Sequence, residues 1–365
     1  MKPYLRNLVA LLIGLGAVGA ANAAIDTSDC YVGDGSPAPP TLSVPLAAGA
    51  LTIGRDVPDG TVIYSQTVSA QAVGIDCKNY AVTVVRNALE LTTSQPAAAW
   101  NQGPFAGKVY ETGLPGIGVA IRDNRTGQFY PGEDAINCRM TCIYTVGPQY
   151  VEISLIKIGN VSASGPVAGA SLPRVSSKWR KATTFKYLDA FEIAFTGSLS
   201  IVSQTCTTPD VRVPMGVHNP GDFSGVGSGT RWEAFDIRLL NCPAFHGATA
   251  SVSYDNGALG DVSGTGNQLG FLLTPATEVV DAAKGIVALS AGSEAKPAAG
   301  GVGLQIASPD GAPVAYHSVM PSGIVPAAVD GGSYTIALQA RYVQTGEVIT
   351  PGQANTSVMF TIDYR

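Results

Sequence analysis

Three histidines, His218, His246 and His317, stand singly in the chain. None belongs to an HExxH pair that would present two zinc ligands on one helix face, and no serine has a glycine two places before and two places after it, the spacing of a strained nucleophile elbow. Acid–base work could come instead from carboxylates. Asp56, Asp59, Asp76, Asp123, Glu133 and Asp134 all fall in the N-terminal half, and two of them flanking a glycosidic bond would be enough for hydrolysis. Turn chemistry and solubility explain the same residues, so the chain reads as non-enzymatic, with a secreted hydrolase as the weaker alternative. Residues 14–19, Gly-Leu-Gly-Ala-Val-Gly, spell a dinucleotide fingerprint. No strand precedes it, and it lies inside an apolar leader, so no cofactor is expected. No metal is expected either.

The leader bears on the thiol chemistry. Lys2 and Arg6 precede an apolar run over 8–21 that closes on Ala21-Asn22-Ala23, the pattern of a secretory signal peptide spanning 1–23. The run is short of the ~20 residues a membrane-spanning helix needs. Export puts Cys30, Cys77, Cys138, Cys142, Cys206 and Cys242 in an oxidising compartment, where an even count reads as disulfides. Cys206 and Cys242 stand alone in the second half and are expected to pair. Cys138-Arg-Met-Thr-Cys142 suits a hairpin-closing bridge, which leaves Cys30 to Cys77. The rival readings of Cys138 and Cys142 are a redox pair or half a zinc site. Redox pairs usually have two intervening residues rather than three, and no second ligand pair is in view.

These residues need a scaffold, and composition narrows it. The chain has 365 residues, 13% charged and 45% hydrophobic, with 43 Gly and 24 Pro spread along its length. That excludes disorder, a coiled coil and a long helical bundle, and the length favours two domains. The formal charge is −5, and no Lys/Arg-rich run appears, so the electrostatic footprint of a nucleic-acid or anionic-membrane partner is missing. Val151, Ile153 and Leu155 alternate with Glu152 and Ser154, and Val358, Phe360, Ile362 and Tyr364 alternate with Met359, Thr361 and Asp363. Further strands are expected over 61–64, 80–85, 119–122, 235–240, 250–254 and 334–342. Turn clusters such as Asp255-Asn256-Gly257 separate them. The fold class is all-β, with two β-sandwich domains. Residues 162–177, rich in Ser, Gly, Ala and Pro, could be mistaken for the linker, but the boundary is placed later. Residues 185–195 are apolar enough to be a last strand of the first domain, so the domains are 24–195 and 196–365.

A family resemblance rests on Thr196-Gly197-Ser198-Leu199 through Cys206, on residues 235–242 ending in Cys242, on the Gly301-Val302-Gly303 run, on Ala340-Arg341-Tyr342, and on the terminal residues 357–365 with penultimate Tyr364. Together they resemble the pilin domain of chaperone-usher fimbriae. Residues 110–119 and the pair Cys30 with Cys77 are similar to the receptor-binding (lectin-like) domain of two-domain tip adhesins of the type 1 kind. The resemblance implies an incomplete immunoglobulin-like sandwich in the second half. Its groove would be walled by Val358, Phe360, Ile362 and Tyr364 and filled by a donated strand. It also implies a periplasmic chaperone that holds the terminal carboxylate of Arg365, an outer-membrane usher, and an adjacent fimbrial subunit as strand donor. Only residues 24–29 precede Cys30 in the processed chain, too short a stretch to donate a strand, so a tip position is expected. The host ligand would be a surface glycan or a matrix protein. The alternative is a non-adhesive structural or adaptor subunit. Amide and carboxylate groups beside an aromatic face suit a sugar. Two places offer them: residues 76–80 with Asn79, and Trp100-Asn101-Gln102. Lys178, Arg180, Lys181 and Lys186 form a modest basic cluster, which a solvated loop near the domain junction explains as well as an anionic ligand does.

Overall fold

The computed structural model describes residues 29–364 except 48, 55–56, 78–82, 94, 140–141, 147–150, 204 and 267. The expected leader, the fingerprint at 14–19, Asp56, Asn79 and Arg365 lie outside the described residues. The rest is strand, turn and short 3-10 segments, the all-β class that the alternation predicts.

One sandwich is built on two sheets. Six strands run in the order Ala258–Gly264, Ala250–Asp255, Val62–Ser69, Val151–Lys157, Ile117–Asp123 and Tyr110–Glu111. Opposite them lie Thr41–Pro45, Leu188–Thr196, Val175–Lys181, Thr83–Leu91 and Gly132–Cys138. Val151–Lys157 has a strand on both sides, and all its residues but Glu152 are buried. Its polar residues Ser154 and Lys157 are buried along with the apolar ones. Val68, Ile121, Ile153 and Leu155 meet Val85, Leu89, Val175, Trp179, Phe191 and Ile193 in one core. At roughly 1.5–3 kcal/mol for each large side chain buried, that core is the main source of stability in this half.

A second core gathers Ile237, Leu239, Leu269, Phe271, Leu273, Ile306, Ile336, Leu338, Ile362 and Tyr364. Its sheets are Glu233–Cys242, Gly332–Gln344, Val302–Ala307, Ile286–Val287 and Val279–Asp281 on one side, and Val319–Ile324, Leu269–Pro275 and Val358–Tyr364 on the other. Gly301 explains one end of the Gly-Val-Gly run. Its φ is +72°, and any Cβ there would collide with the Val348 carbonyl. A Cβ at Gly303 would sit 2.8 Å from the Ile286 side chain.

Disulfides join Cys30 to Cys77, Cys138 to Cys142 and Cys206 to Cys242. The bridges spanning 47 and 36 residues each remove unfolded-chain entropy worth about 4 kcal/mol, and the short one about 2 kcal/mol, in the chain-entropy model.

The composition of 162–177 conceals strand, because Gly165–Ala168 pairs with Ser198–Val202 and Val175–Lys181 begins within this segment. Gly165–Ala168 is an edge strand, the place where Pro166 costs no ladder hydrogen bond. The strand expected from 185 starts at Leu188, since Phe185 is 96% exposed on the preceding loop. Leu199 and Ile201 belong to the first core, so the change of core falls between Ile201 and Cys206. The basic cluster sits at the Leu188 end of Leu188–Thr196, whereas the chain leaves for the second core from the Thr196 end. Its charges are engaged locally. Lys178 pairs with Glu90 at 2.8 Å, Arg180 donates to the Thr184 carbonyl and covers the Tyr187 ring, and Lys181 is buried.

The hairpin Ala250–Asp255/Ala258–Gly264 crosses between the halves. It turns through Asn256 (φ +48°) and Gly257 (φ +91°), the left-handed pair that tight hairpins require. Ala250–Asp255 then pairs in parallel with Val62–Ser69, from Ala250 opposite Tyr64 to Asp255 opposite Ser69. Val252 and Tyr254 are buried in the first core, and Tyr254 Oη donates to the Ser43 carbonyl at 3.3 Å.

Candidate functional site

The strand Val358–Tyr364 is hydrogen-bonded on one side by Leu269–Pro275, with Tyr364 opposite Leu269 and Val358 opposite Pro275. Among the described residues no strand pairs with its other side. Alternation points Val358, Phe360, Ile362 and Tyr364 the same way. Ile362 and Tyr364 are buried, while Val358 and Phe360 are half-buried and Met359 is 64% exposed. The apolar face thus opens toward the Val358 end. Sheet edges are usually blunted by charge. The edge strand Glu233–Cys242 follows that rule with exposed Glu233, Asp236 and Arg238, but Val358–Phe360 carries no charge at all.

Tyr364 anchors this edge. Its Oη accepts a 3.1 Å hydrogen bond from the Cys206 amide, and its ring stacks on Phe245 at 5.5 Å. Gly54 of the first half packs so closely that a Cβ there would lie 3.3 Å from Tyr364 Cβ. Nearby, Thr52 Oγ1 donates to the Ala244 carbonyl at 3.2 Å and accepts from the His246 amide at 3.0 Å. The C-terminal strand, its disulfide and the first sandwich therefore meet at one place.

A second feature is an open depression of about 370 Å³ lined by Asp59, Gly60, Thr61, Trp100, Gln102, Gly103, Pro104 and Phe105. Two local structures position it. The Asp59-Gly60 turn is pinned to the end of Val151–Lys157 by Gly60 N–H donating to Lys157 O at 2.7 Å and Lys157 N–H donating to Thr61 O at 3.0 Å. The Trp100 loop is closed by Gly107 N–H donating to Trp100 O at 2.8 Å and carries the 3-10 turn Gly103–Phe105. Trp100 is buried against Val109, Ala120 and Ile156, and its Nε1 has no hydrogen-bond partner. Lys157, only 7% exposed at its side chain, meets Asp59 Oδ1 at 2.5 Å.

Removing Asp59 would strand the buried ammonium of Lys157. Asp59→Ala should cost about 2 kcal/mol, less than for a fully buried pair because Asp59 is half-exposed. Lys157→Met should cost less, since it buries an apolar chain and frees a carboxylate that water can reach. Urea unfolding of the two variants checks the order.

Of the sequence candidates, Trp100 lines the depression and Asn101 does not, although Asn101 is exposed beside it. In the sequence Gln102 stands out only as part of the Trp100 run, and Asp59 only as a candidate acid. Their convergence depends on the pairing of a turn with a loop some forty residues away, which no local pattern carries. Among the described residues the other carboxylates are engaged in separate contacts, except that Asp123 and Asp134 lie near enough to feel each other's charge. Asp76 is buried and accepts from Tyr31 Oη at 3.1 Å, Asp123 caps its own turn through the Arg125 and Thr126 amides, and Glu133 pairs with Arg86. Burial, and then the charge of Asp123, raises the Asp134 carboxyl above the ordinary range. The histidines are also dispersed. His218 is fixed on the Met215 carbonyl at 2.8 Å, and His317 donates its amide to Leu273.

Residues 193–365 match the family model described as fimbrial protein. The chain is 24% identical to a fimbria adhesin protein of Klebsiella pneumoniae over 97% of its own length and 98% of the relative's. It is 29% identical to a type-1 fimbrial protein subunit of Serratia marcescens over 47% of this chain and 86% of that one. Among solved structures, the CupB6 tip adhesin of Pseudomonas aeruginosa is similar at 16% identity and a TM-score of 0.33, covering 84% of this chain and 88% of that one. This all-β chain, whose C-terminal strand has an edge free of charge over Val358–Phe360, therefore carries a fimbrial match over 193–365 and is similar along nearly its whole length to a fimbria adhesin.

Proposed function

We propose that the protein is the tip adhesin of a chaperone-usher fimbrium. The second core, which begins at Cys206, acts as a pilin domain that is completed by a strand from outside, and the first sandwich, expected over 24–195 and joined by Ser198–Val202 and the hairpin at 250–264, acts as the receptor-binding domain. The observation that carries this reading is the unpaired side of Val358–Tyr364, whose inward residues Val358 and Phe360 are only half-buried. An extended segment with apolar residues at every second position would satisfy the free backbone groups and cover that face. A periplasmic chaperone supplies such a strand first and holds the carboxylate of Arg365. The neighbouring subunit replaces it as the chain passes the outer-membrane usher to the cell surface. A folded sandwich ahead of the fimbrial domain supports the tip position, and a host surface glycan is the proposed ligand of that sandwich.

The test is addition of a synthetic peptide of alternating apolar and polar residues to the full chain. The peptide should raise the unfolding midpoint, by the equivalent of about 2.7 kcal/mol at a hundredfold excess over its Kd. Phe360→Asp should remove that gain. A midpoint that ignores the peptide, or the same gain in Phe360→Asp, would sink the open-groove reading. Binding of a host surface ligand by the purified chain itself, through its first sandwich, separates an adhesin from an adaptor.

A further inference from the structure

We infer that the two disulfides of the first sandwich form an exchangeable pair, in which opening Cys138–Cys142 lets Cys142 displace Cys30 from Cys77.

Tyr31–Val32, Val73–Asp76 and Ile143–Val146 make a three-stranded sheet with Val73–Asp76 in the middle. Both ladders are antiparallel, with Tyr31 opposite Asp76 on one side and Ile143 opposite Asp76 on the other. One step further along each register, Cys30 faces Cys77 and Cys77 faces Cys142. The backbone agrees at both places. The Cα atoms of Cys30 and Cys77 are 4.2 Å apart, the close approach of a pair without ladder hydrogen bonds, and the Cys77 amide donates to the Cys142 carbonyl at 2.8 Å. Residues directly opposite on neighbouring strands put their side chains on the same face. That face belongs to the first core, in which Cys30, Cys77, Cys138 and Cys142 are all buried. Three of the four cysteines therefore stand in a row across three strands, with Cys77 at the centre. Cys138 stands outside the row, opposite Thr83 in another sheet.

A thiolate displaces a disulfide by attacking one sulfur in line with the bond that breaks. Cys142 lies on the side of Cys77 away from Cys30, where an incoming sulfur has to be. A dithiol attacks Cys138, the Cys138–Cys142 bond breaks, and Cys142 leaves as a thiolate. The second thiol of the reagent clears the mixed disulfide, so the reagent is oxidised to its own disulfide and Cys138 is left as a thiol. Cys142 then bonds to Cys77, the Cys30–Cys77 bond breaks, and Cys30 leaves with the electron pair and takes a proton from water. This second step trades one bridge for another with no net oxidation. It needs little backbone movement, because hydrogen-bonded residues facing each other have Cα atoms about 5.5 Å apart, inside the range that disulfides span.

The short bridge is the one to open first. It joins residues four apart, whereas Cys30–Cys77 spans 47, so it removes less chain entropy and gives way to a thiol more readily. Exposed Arg139 and Ile143 flank it and set it next to solvent. The outcome is a redox-sensitive switch in which the covalent tie of the central strand moves from Tyr31–Val32 to Ile143–Val146. The N-terminal strand is then held without a covalent bond, and its cysteine carries a free thiol.

Cys138→Ser leaves Cys142 as a thiol and removes the need for a reductant. The purified full chain of this variant, kept at pH 8, alkylated with N-ethylmaleimide and mapped by peptide mass spectrometry, should show Cys30 alkylated and Cys77 linked to Cys142 in a measurable share of molecules. Cys142→Ser leaves only Cys138, outside the row, and should keep Cys30–Cys77 intact. Alkylation of Cys142 alone in Cys138→Ser overturns the switch. Equal exchange in both variants also overturns it, because it would mean reshuffling through the unfolded chain. The natural chain gives the same test without relying on a variant that folds. After one equivalent of dithiothreitol, Cys138 and Cys142 should be alkylated first, and Cys30 should replace Cys142 among the alkylated thiols later. That later step should run about tenfold faster at pH 8 than at pH 7, following the thiolate fraction. First alkylation at Cys30 and Cys77, or linked peptides that include Cys206 or Cys242, would overturn the switch as well.

Discussion

Replacing Tyr364 with alanine should lower the stability of the full chain by about 3–4 kcal/mol, the range for deleting a large buried ring. The ring is 8% exposed, stacks on Phe245, and lies against Gly54. Tyr364→Phe keeps the ring and removes only the bond accepted from the Cys206 amide, so it should cost about 1 kcal/mol. The two variants separate packing from hydrogen bonding in urea denaturation, read by far-UV circular dichroism. Equal losses in both would mean that the hydrogen bond, not the ring, ties the last strand to the Cys206–Cys242 bridge. The alanine variant should also respond poorly to a donor peptide, because the wall that the peptide pairs with is no longer anchored.

Placing a charge at position 254 should have a comparable effect on the other half of the molecule. Tyr254 is 7% exposed and Val252 3% exposed, and both belong to the core built by residues 30–202 although they come from beyond Cys242. Tyr254→Asp leaves an unpaired carboxylate where an aromatic ring packed and should cost at least about 4 kcal/mol. Hydrogen exchange would locate the damage. Amides of Val62–Ser69 should lose protection, since their parallel partner strand Ala250–Asp255 is displaced. Protection lost only within residues 206–364 would mean that the hairpin does not support the first sandwich. Residues 250–264 are part of the first sheet, so cutting the chain at 195 exposes the side of Val62–Ser69 that the hairpin covers.

The parts legible in the sequence are those encoded over a few residues. Val151–Lys157 and Val358–Tyr364 follow from a period of two, and the hairpin turn at Asp255-Asn256-Gly257 from residues that tolerate positive φ. The all-β class follows from such patterns repeated along the chain. Strand ends were less visible. Residues 61–64 show only the start of Val62–Ser69, because Ser65, Gln66 and Thr67 dilute its apolar signal; Gln66 is nevertheless fully buried, its amide donating to the Pro45 carbonyl at 3.0 Å. Gly165–Ala168 was hidden by glycine and proline that an edge strand tolerates.

Alternation and turn chemistry by themselves determined that this chain forms twisted sheets with one apolar face each, and that its last strand has such a face. Those signals act between neighbours in sequence. Which strand sits beside which, and which edge is left without a partner, is decided by burial across the whole molecule. Tertiary structure alone places Ala250–Asp255 on a sheet nearly two hundred residues away, leaves one side of Val358–Tyr364 without a strand partner among the described residues, and brings Asp59 to Trp100. The physical reason is that strand pairing uses backbone groups common to every residue, so its specificity comes from the shape and apolar area of the completed core.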